Sequence, residues 1–336
     1  MPSRLFNSHP DHGIRVPGEV IEAYVRALFL AVGTSEEHAQ HMAVTLTAND
    51  LRCVFSHGTR QVRDYILQMK NGHTNPRPNV TVVSESEATA ILDGDGGLGY
   101  FPSHRGTEMA IEKALKVGVS TVTTRNHFHF GAAGNYSRMA LASDCIGMAL
   151  SSHRYRPRPD ATVMSASGGS PISIAVPTGE QPPLVMDMAA NFIPYSEESF
   201  EEFPAAVFKG LGLAAVLQAM GGILAGIWNE GYEFTGEGKG ATPHQGAFIA
   251  VFDVRRFADV EMFKREMDRY VGEARATKPL PGHDRAELAG GMEWQWEKEH
   301  REIGIPMTDD HRDLLEKVGD GVGVSSPFGG FEGSRF

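Results

Sequence analysis

The sequence predicts an α/β chain (mixed α+β) with a helical N-terminal lobe, and three observations carry that reading. Before residue 78, apolar residues recur at helical spacing. From about residue 80 onward, short β-branched runs alternate with helical stretches. Between the two kinds of pattern, Thr121–Leu141 joins a strand to a helix through a turn dense in polar side chains. At 336 residues and 41% hydrophobic, the chain can bury a large core, as one domain or two interlocked ones. The expected division is a helical lobe over 1–78, an α/β region over 79–275 and a C-terminal segment over 276–336. That segment is expected to pack back on the lobe, with Ser325–Phe336 frayed by its glycines and serines.

In the lobe, Val20, Ile21, Tyr24, Val25, Leu28 and Phe29 define one helix over Val16–Val32, and Gly33 stops it. Thr34-Ser35-Glu36-Glu37 reads as a capping box opening a second helix through Leu51, with Ala39, Met42, Ala43 and Leu46 inward. A third helix runs from Thr59 to Lys70 and ends at Asn71-Gly72. Val80–Val83 and Ala88–Leu92 read as paired strands. Gly94-Asp95-Gly96-Gly97-Leu98-Gly99 then matches G-x-G-x-x-G. A dinucleotide fingerprint requires the helix to begin at the third glycine, whereas Pro102 is expected to mark a later start. Further strands are expected at Ile146–Leu150, Ile172–Val176, Leu184–Met186 and Ala247–Phe252, and an amphipathic helix at Val254–Val271. Leu211–Ile227 contains Gln218, falls short of a membrane span, and is expected to be a buried helix.

Forty-two acidic residues against 31 basic ones give a net charge of −11, which argues against nucleic acid or an anionic membrane as partner. Cys53 and Cys145 make neither a disulfide framework nor a CxxC site. The first residues, MPSRLFNSHPDHG, lack the apolar core of a signal peptide. The expected compartment is the cytoplasm.

Two turns carry chemistry-bearing residues. Phe55-Ser56-His57-Gly58-Thr59-Arg60 stands between the second and third helices. Ser56 can cap the third helix; equally, Ser56-His57 can pass a proton while Arg60 holds a carboxylate bidentately. Arg125-Asn126-His127-Phe128-His129-Phe130-Gly131 links the strand and helix of Thr121–Leu141. Its bland reading is a tight corner with surface histidines. Its functional reading is a site at the mouth of an α/β fold, with Gly131 permitting close approach and the next helix offering N–H groups to an anion. His153–Arg158 is a basic loop, a phosphate cradle or a solvated surface. Asp187 ends an apolar strand, as a structural acceptor or a group that orients a histidine.

The chain resembles the malate/L-lactate dehydrogenase family, distinct from the Rossmann-type lactate dehydrogenases. That family includes ureidoglycolate, sulfolactate and diketogulonate dehydrogenases and cyclic imino acid reductases. The resemblance runs from about Val16 to Pro281. It rests on Ser56–Arg60, Asp93–Gly99, Arg125-Asn126, His129–Gly134, Pro171–Pro177, Asp187-Met188-Ala189, Lys209-Gly210 and Phe248-Ile249-Ala250, in that order. It implies a non-Rossmann nicotinamide-binding domain, which agrees with discounting the glycine match, and a homodimer. It also implies an NAD(P)-dependent oxidoreductase interconverting a 2-hydroxy acid and a 2-keto acid, or an imino acid counterpart.

Carried over by position, the resemblance makes His129 a proton acceptor, and Ser56, His57 and Asp187 a relay and proton donor. Arg60 would hold the substrate carboxylate. Cofactor contacts would come from His129, Phe130, Gly131, Ala132, Ala133, Ser152, Asp187, Met188, Ala189 and Lys209, with NAD or NADP as cofactor and no metal. Three departures stand out. Phe128 replaces the usual asparagine before the histidine, and Gly169-Ser170-Pro171 replaces Thr-Asn-Pro. Only Ala190–Phe208, short and acidic, separates the Asp-Met-Ala and Lys-Gly segments, where the family carries several tens of residues. Two rival readings are a metal-dependent hydrolase or lyase using His127, His129 and Asp187, and a family member without catalysis that serves as a binding protein.

Overall fold

Residues 8–154, 157, 159–166, 168–229, 231 and 243–336 are described by the computed structural model of the chain. Tyr155, Arg156 and Arg158 of the basic loop, and Ser167, lie outside them. A short strand β1 (Ile14–Val16) precedes α1 (Gly18–Ala31), which buries Ile21, Tyr24, Val25, Leu28 and Phe29. Gly33 adopts φ 87°, a conformation that favours glycine and ends the helix. Helix α2 (Glu36–Leu51) is capped by Ser35, whose hydroxyl accepts from the His38 amide at 3.2 Å. Ala39, Met42, Ala43 and Leu46 are buried as their spacing demands. Helix α3 (Val62–Lys70) follows two short 3₁₀ turns, Phe55–His57 and Thr59–Gln61.

The next elements build one mixed seven-stranded sheet. Strands β2 (Thr81–Glu85) and β3 (Thr89–Asp93) pair antiparallel. Helix α4 (Tyr100–Val117) then carries the chain to β4 (Val119–His127), parallel to β3. A four-residue helix α5 (Gly134–Ser137) leads through a 3₁₀ segment to β5 (Cys145–His153). Strands β6 (Pro171–Val176) and β7 (Leu184–Ala189) complete one side. Helices α6 (Glu197–Glu202) and α7 (Pro204–Leu217) follow, and α7 continues as a π-helical turn to Leu224. Strand β8 (Gln245–Asp253) enters the middle of the sheet, giving the order β2-β3-β4-β8-β5-β6-β7. Only β3 and β4 run parallel, so this is not the parallel doubly wound sheet of a Rossmann domain.

Strand β8 explains its own unbroken apolar run. Ala247, Ile249 and Val251 face the core under α4, while Phe248 and Ala250 face Ala214 and Leu217 of α7. Helix α8 (Val260–Arg275) follows, then α9 (Gly291–Ile303), strand β9 (Ile305–Met307) and α10 (Asp309–Val322). Strand β9 pairs antiparallel with β1. The described residues up to Arg77, together with Glu273–Phe336, form one compact unit; those from Pro78 to Gly272 form another.

Three expectations need correction. The terminal segment does not fray: Phe328 is fully buried, Ser334 Oγ donates to the Arg15 carbonyl at 2.8 Å, and Arg335 pairs with Asp309. A helix start at Pro102 is also wrong, because α4 begins at Tyr100 and Pro102 sits in its first turn. Leu211–Ile227 is not a buried helix. Pro204–Leu224 is long and apolar enough to cross a membrane by length and composition, and only 33% of it is buried. Apart from Lys209 and Gln218 its sequence is largely apolar, whereas in α7 the stripe through Val207, Gly210, Ala214 and Leu217 is covered. Phe208 is 70% exposed and Leu224 63%.

The glycine stretch now has a strand–turn–helix–strand setting, yet its backbone is already spent. The Gly94 amide donates to the Arg125 carbonyl, Gly96 to Asn126 and Gly99 to His129, while the Phe128 amide donates back to Gly97. A Cβ on Gly94 would stand 2.9 Å from His127 Cβ, and one on Gly99 would stand 2.5 Å from His127 Nδ1. These glycines serve turn-to-turn packing and leave no cradle of free amides for a pyrophosphate. Gly96 holds φ 66°, so Gly96→Ala is expected to cost about 1 kcal/mol. A urea-unfolding midpoint that does not fall would show that the turn relaxes around the new methyl.

Candidate functional site

In the first unit, the turn between α2 and α3 carries Ser56, His57 and Arg60. Ser56 does not cap α3; its Oγ lies 3.0 Å from His57 Nδ1. The His57 carbonyl accepts from Asn49 Nδ2 at 2.8 Å. Burial lowers the His57 pKa below its ordinary 6.5, so the ring is neutral at neutral pH. Arg60 donates from Nη1 to Asp310 Oδ2 at 2.7 Å and from Nη2 to Thr308 Oγ1 at 2.9 Å. Those hydrogen bonds hold the Asp310 carboxyl down to about 2. The guanidinium thus already grips a carboxylate, and that carboxylate is largely exposed.

In the second unit, β4 ends on a turn whose histidines diverge. Asn126 takes φ 55° and donates to Asp93 Oδ1 at 2.6 Å, bending the chain at the strand end. His127 is fully buried. Its Nδ1 donates to the Phe128 carbonyl at 2.7 Å, and its Nε2 accepts from Thr124 Oγ1 at 2.9 Å. Burial drives its pKa to about 4, so it is a neutral ring with both nitrogens engaged. With both nitrogens so engaged, His127 is poorly placed to ligate a metal, which weighs against the metal-dependent rival. Among the described residues no cluster of metal-ligating side chains occurs. His129 is half-buried, and its carbonyl receives the Gly99 amide at 3.0 Å.

Beyond His129, Phe130 is buried and stacks at 5.1 Å on Tyr136, whose hydroxyl donates to the Phe130 carbonyl. Gly131 takes φ 81°, with Tyr100 where a side chain would stand. Ala132 and Ala133 are buried. The expected long helix with an open N-terminus is absent: α5 has four residues, and Asp187 Oδ2 accepts the Gly134 amide at 2.9 Å. Asp187 and Ala189 are exposed at the sheet edge, Met188 is half-buried, and Lys209 is exposed on α7. Ser152 is buried; its Oγ lies 2.9 Å from Ser170 Oγ and donates to Gln218 Oε1.

Two buried amides in this unit lack a hydrogen-bond acceptor, Gln218 Nε2 and Asn135 Nδ2. A buried unsatisfied donor is costly, and a polar ligand rich in acceptors is one way to satisfy it. Gln218 shares the hydroxyl of Ser152, and Asn135 follows Gly134 directly, so these donors fit a polar cofactor held by this set. Sequence reasoning noted Gln218 only as a flaw in an apolar run; a lone amide in such a run was the signal. Asp310 and His311 escaped it because their link to the Ser56–Arg60 turn spans the chain, and Asp50 because nothing local marks a helix-end carboxylate as the partner of Thr59. A cleft of about 500 Å³ in the first unit, lined in part by Arg15, Glu19 and Arg301, contains none of the candidate residues.

The malate/L-lactate dehydrogenase family model matches residues 16–200 and 196–316. The two stretches meet inside the short interval between Asp187 and Lys209. The chain is 27% identical to a malate dehydrogenase of Pyrococcus abyssi over 350 aligned residues, covering 93% of this chain and 96% of the relative. It is 31% identical to an L-sulfolactate dehydrogenase of Methanocaldococcus jannaschii over 285 residues, 75% of this chain and 81% of the relative. The malate dehydrogenase structure from Pyrococcus horikoshii OT3 superposes with a TM-score of 0.81 at 27% identity, covering 95% of this chain and 98% of the other. The chain belongs to the malate/L-lactate dehydrogenase family and is an oxidoreductase of that kind.

Proposed function

We propose that the protein interconverts a small 2-hydroxy acid and its 2-keto acid, or the imino acid counterpart, with NAD or NADP. The observation that carries this is the Ser56–Arg60 turn. It sets a neutral histidine 3.0 Å from a serine hydroxyl, three residues before an arginine whose fork already binds a carboxylate. The reading includes a small carboxylate substrate, a homodimer and a cytoplasmic site of action.

When bound, the nicotinamide supplies a two-electron hydride acceptor or donor. His129, Asp187, Met188, Ala189 and Lys209 would hold it from exposed or half-buried positions, with Ser152 and the Phe130–Ala133 backbone behind them. Arg60 binds the substrate carboxylate by exchanging Asp310 for it, which keeps the charge pairing while changing the partner. The hydroxyl proton leaves to the His129 imidazole, the acceptor in the hydroxy-acid direction. Ser56 and His57 pass a proton in the reducing direction, with Asp187 as the further member of that relay. A spectrophotometric screen of 2-keto acids and cyclic imines with both reduced cofactors tests the proposal. No turnover with any of them would favour the binding-protein reading.

His57→Ala and His129→Ala are each expected to lower kcat by about 100-fold, the scale of a positioned acid or base. Near wild-type turnover in both would end the assignment. Arg60→Lys should raise KM for the carboxylate substrate while leaving kcat less affected, because an ammonium cannot reproduce the fork. An unchanged KM removes Arg60 from substrate binding. The pH dependence has a definite sign. A base must be neutral to accept a proton, and burial places the His57 pKa below 6.5. For the imino acid counterpart, where the Ser56–His57 relay that gives a proton in reduction must take it back in oxidation, kcat/KM in the oxidising direction should stay level down to about pH 6.5 and fall only below it. A limb centred above neutrality would contradict His57 as the titrating group.

A further inference from the structure

Asp50, at the end of α2, is fully buried. Its Oδ1 accepts the Thr59 amide at 3.1 Å and its Oδ2 accepts the Thr59 hydroxyl at 2.5 Å. The same hydroxyl lies 2.8 Å from Nε2 of His311, which is buried on α10. A Cβ on Gly58 would stand 1.8 Å from Asp50 Oδ1, so the carboxylate occupies the space that a side chain at residue 58 would need. Asn49, the neighbour of Asp50, holds the His57 carbonyl, and Asp310, the neighbour of His311, holds Arg60. Both functional ends of the Ser56–Arg60 turn are therefore gripped from the two flanks of one buried chain.

We propose that Asp50 is a positioning residue for the reaction, acting through Thr59 and His311 to fix His57 and Arg60 in the same frame. The inference rests on the reading of Ser56–Arg60 as substrate-binding and acid/base machinery. Its logic is economy of hydrogen bonds. Burying a carboxylate with no cation in direct contact is costly, and a helix end can be finished with less. Here the carboxylate takes both the amide and the hydroxyl hydrogen bond of one residue of the turn, Thr59. The chain also has direction. While the Thr59 hydroxyl donates to Asp50, it can only accept from His311, which fixes His311 as the Nε2–H tautomer. If Asp50 is protonated on Oδ2, the two hydrogen bonds of the Thr59 hydroxyl reverse while its amide still donates to Oδ1. Burial raises Asp50 to about 7 and lowers His311 to about 3, so a proton taken up by the chain rests on Asp50 and never charges His311.

The test uses the full chain with Thr59→Val, which keeps shape and amide but deletes the hydroxyl link, Thr59→Ser as the conservative rescue, and Asp50→Asn. Oxaloacetate with reduced nicotinamide cofactor is the kinetic probe, and ¹⁵N NMR titration of the His57 ring is a readout independent of turnover. Thr59→Val should raise KM for oxaloacetate about tenfold, and it should displace the His57 titration. Thr59→Ser should restore both. Asp50→Asn should behave like Thr59→Val if it folds; if it does not, the threonine pair decides. A Thr59→Val protein with wild-type KM and wild-type His57 titration overturns the proposal, even if its melting temperature falls. Wild-type protein inactive on every keto acid would count against the functional reading alone, and the His57 titration would still decide the role of the buried chain.

Discussion

The structure hangs on two turns that exchange backbone hydrogen bonds. The stretch Gly94–Gly99 gives three amides to the carbonyls of Arg125, Asn126 and His129, and its Gly97 carbonyl takes the amide of Phe128. Such close approach is possible only where side chains are missing, which is why glycines stand at 94, 97 and 99 against His127, Pro78 and Phe130. The exchange ties the start of α4 to the end of β4 and forces the chain to alternate at the strand end. His127 goes inward to Thr124, and His129 goes outward toward the surface. The backbone of the candidate proton acceptor is thus placed by this lattice, its carbonyl receiving the Gly99 amide.

Much of this was legible in the residues, and the misses have physical causes. The capping hydroxyl of Ser35, the stops at Gly33 and Gly72 and the doubly buried β8 are local events, and local chemistry announces them. The glycine stretch misled in one respect. Its strand, helix and parallel strand do form, so sequence and setting alike suggest a dinucleotide loop. Only the destination of each amide shows otherwise, and that depends on residues about thirty positions away. The tail at Ser325–Phe336 shows a related limit. Glycine and serine lower local preference, but Phe328 in the core and Arg335 on Asp309 outweigh it. For Ser56, the expectation of a cap failed because a 3₁₀ turn over Thr59–Gln61 separates it from α3.

The helix Pro204–Leu224 belongs with the short interval that precedes it. Where the family carries several tens of residues, this chain has Ala190–Phe208, and the family match is split there. Around that junction Phe192, Phe200, Phe203 and Phe208 are exposed together with Ile223 and Leu224. Exposed aromatics in such number are unusual for a surface meant to meet only water. The helix that follows is largely apolar yet packed along a single stripe.

Both candidate histidines stand over a buried histidine that never charges. His129 follows His127, and the turn bearing His57 rests through Thr59 on His311. In each pair the buried ring meets a threonine hydroxyl through Nε2, from Thr124 in one case and Thr59 in the other. Burial holds the two rings near 4 and 3. A buried lysine or arginine would also hold a turn, but its charge would depress the pKa of an imidazole nearby. An apolar residue would avoid that field and lose the hydrogen bond that fixes the turn. Neutral histidine supplies direction without charge and adds no field of its own to the turn. That property suits a group that must both accept and return a proton near neutral pH, and it explains why histidine appears twice at each level of these turns.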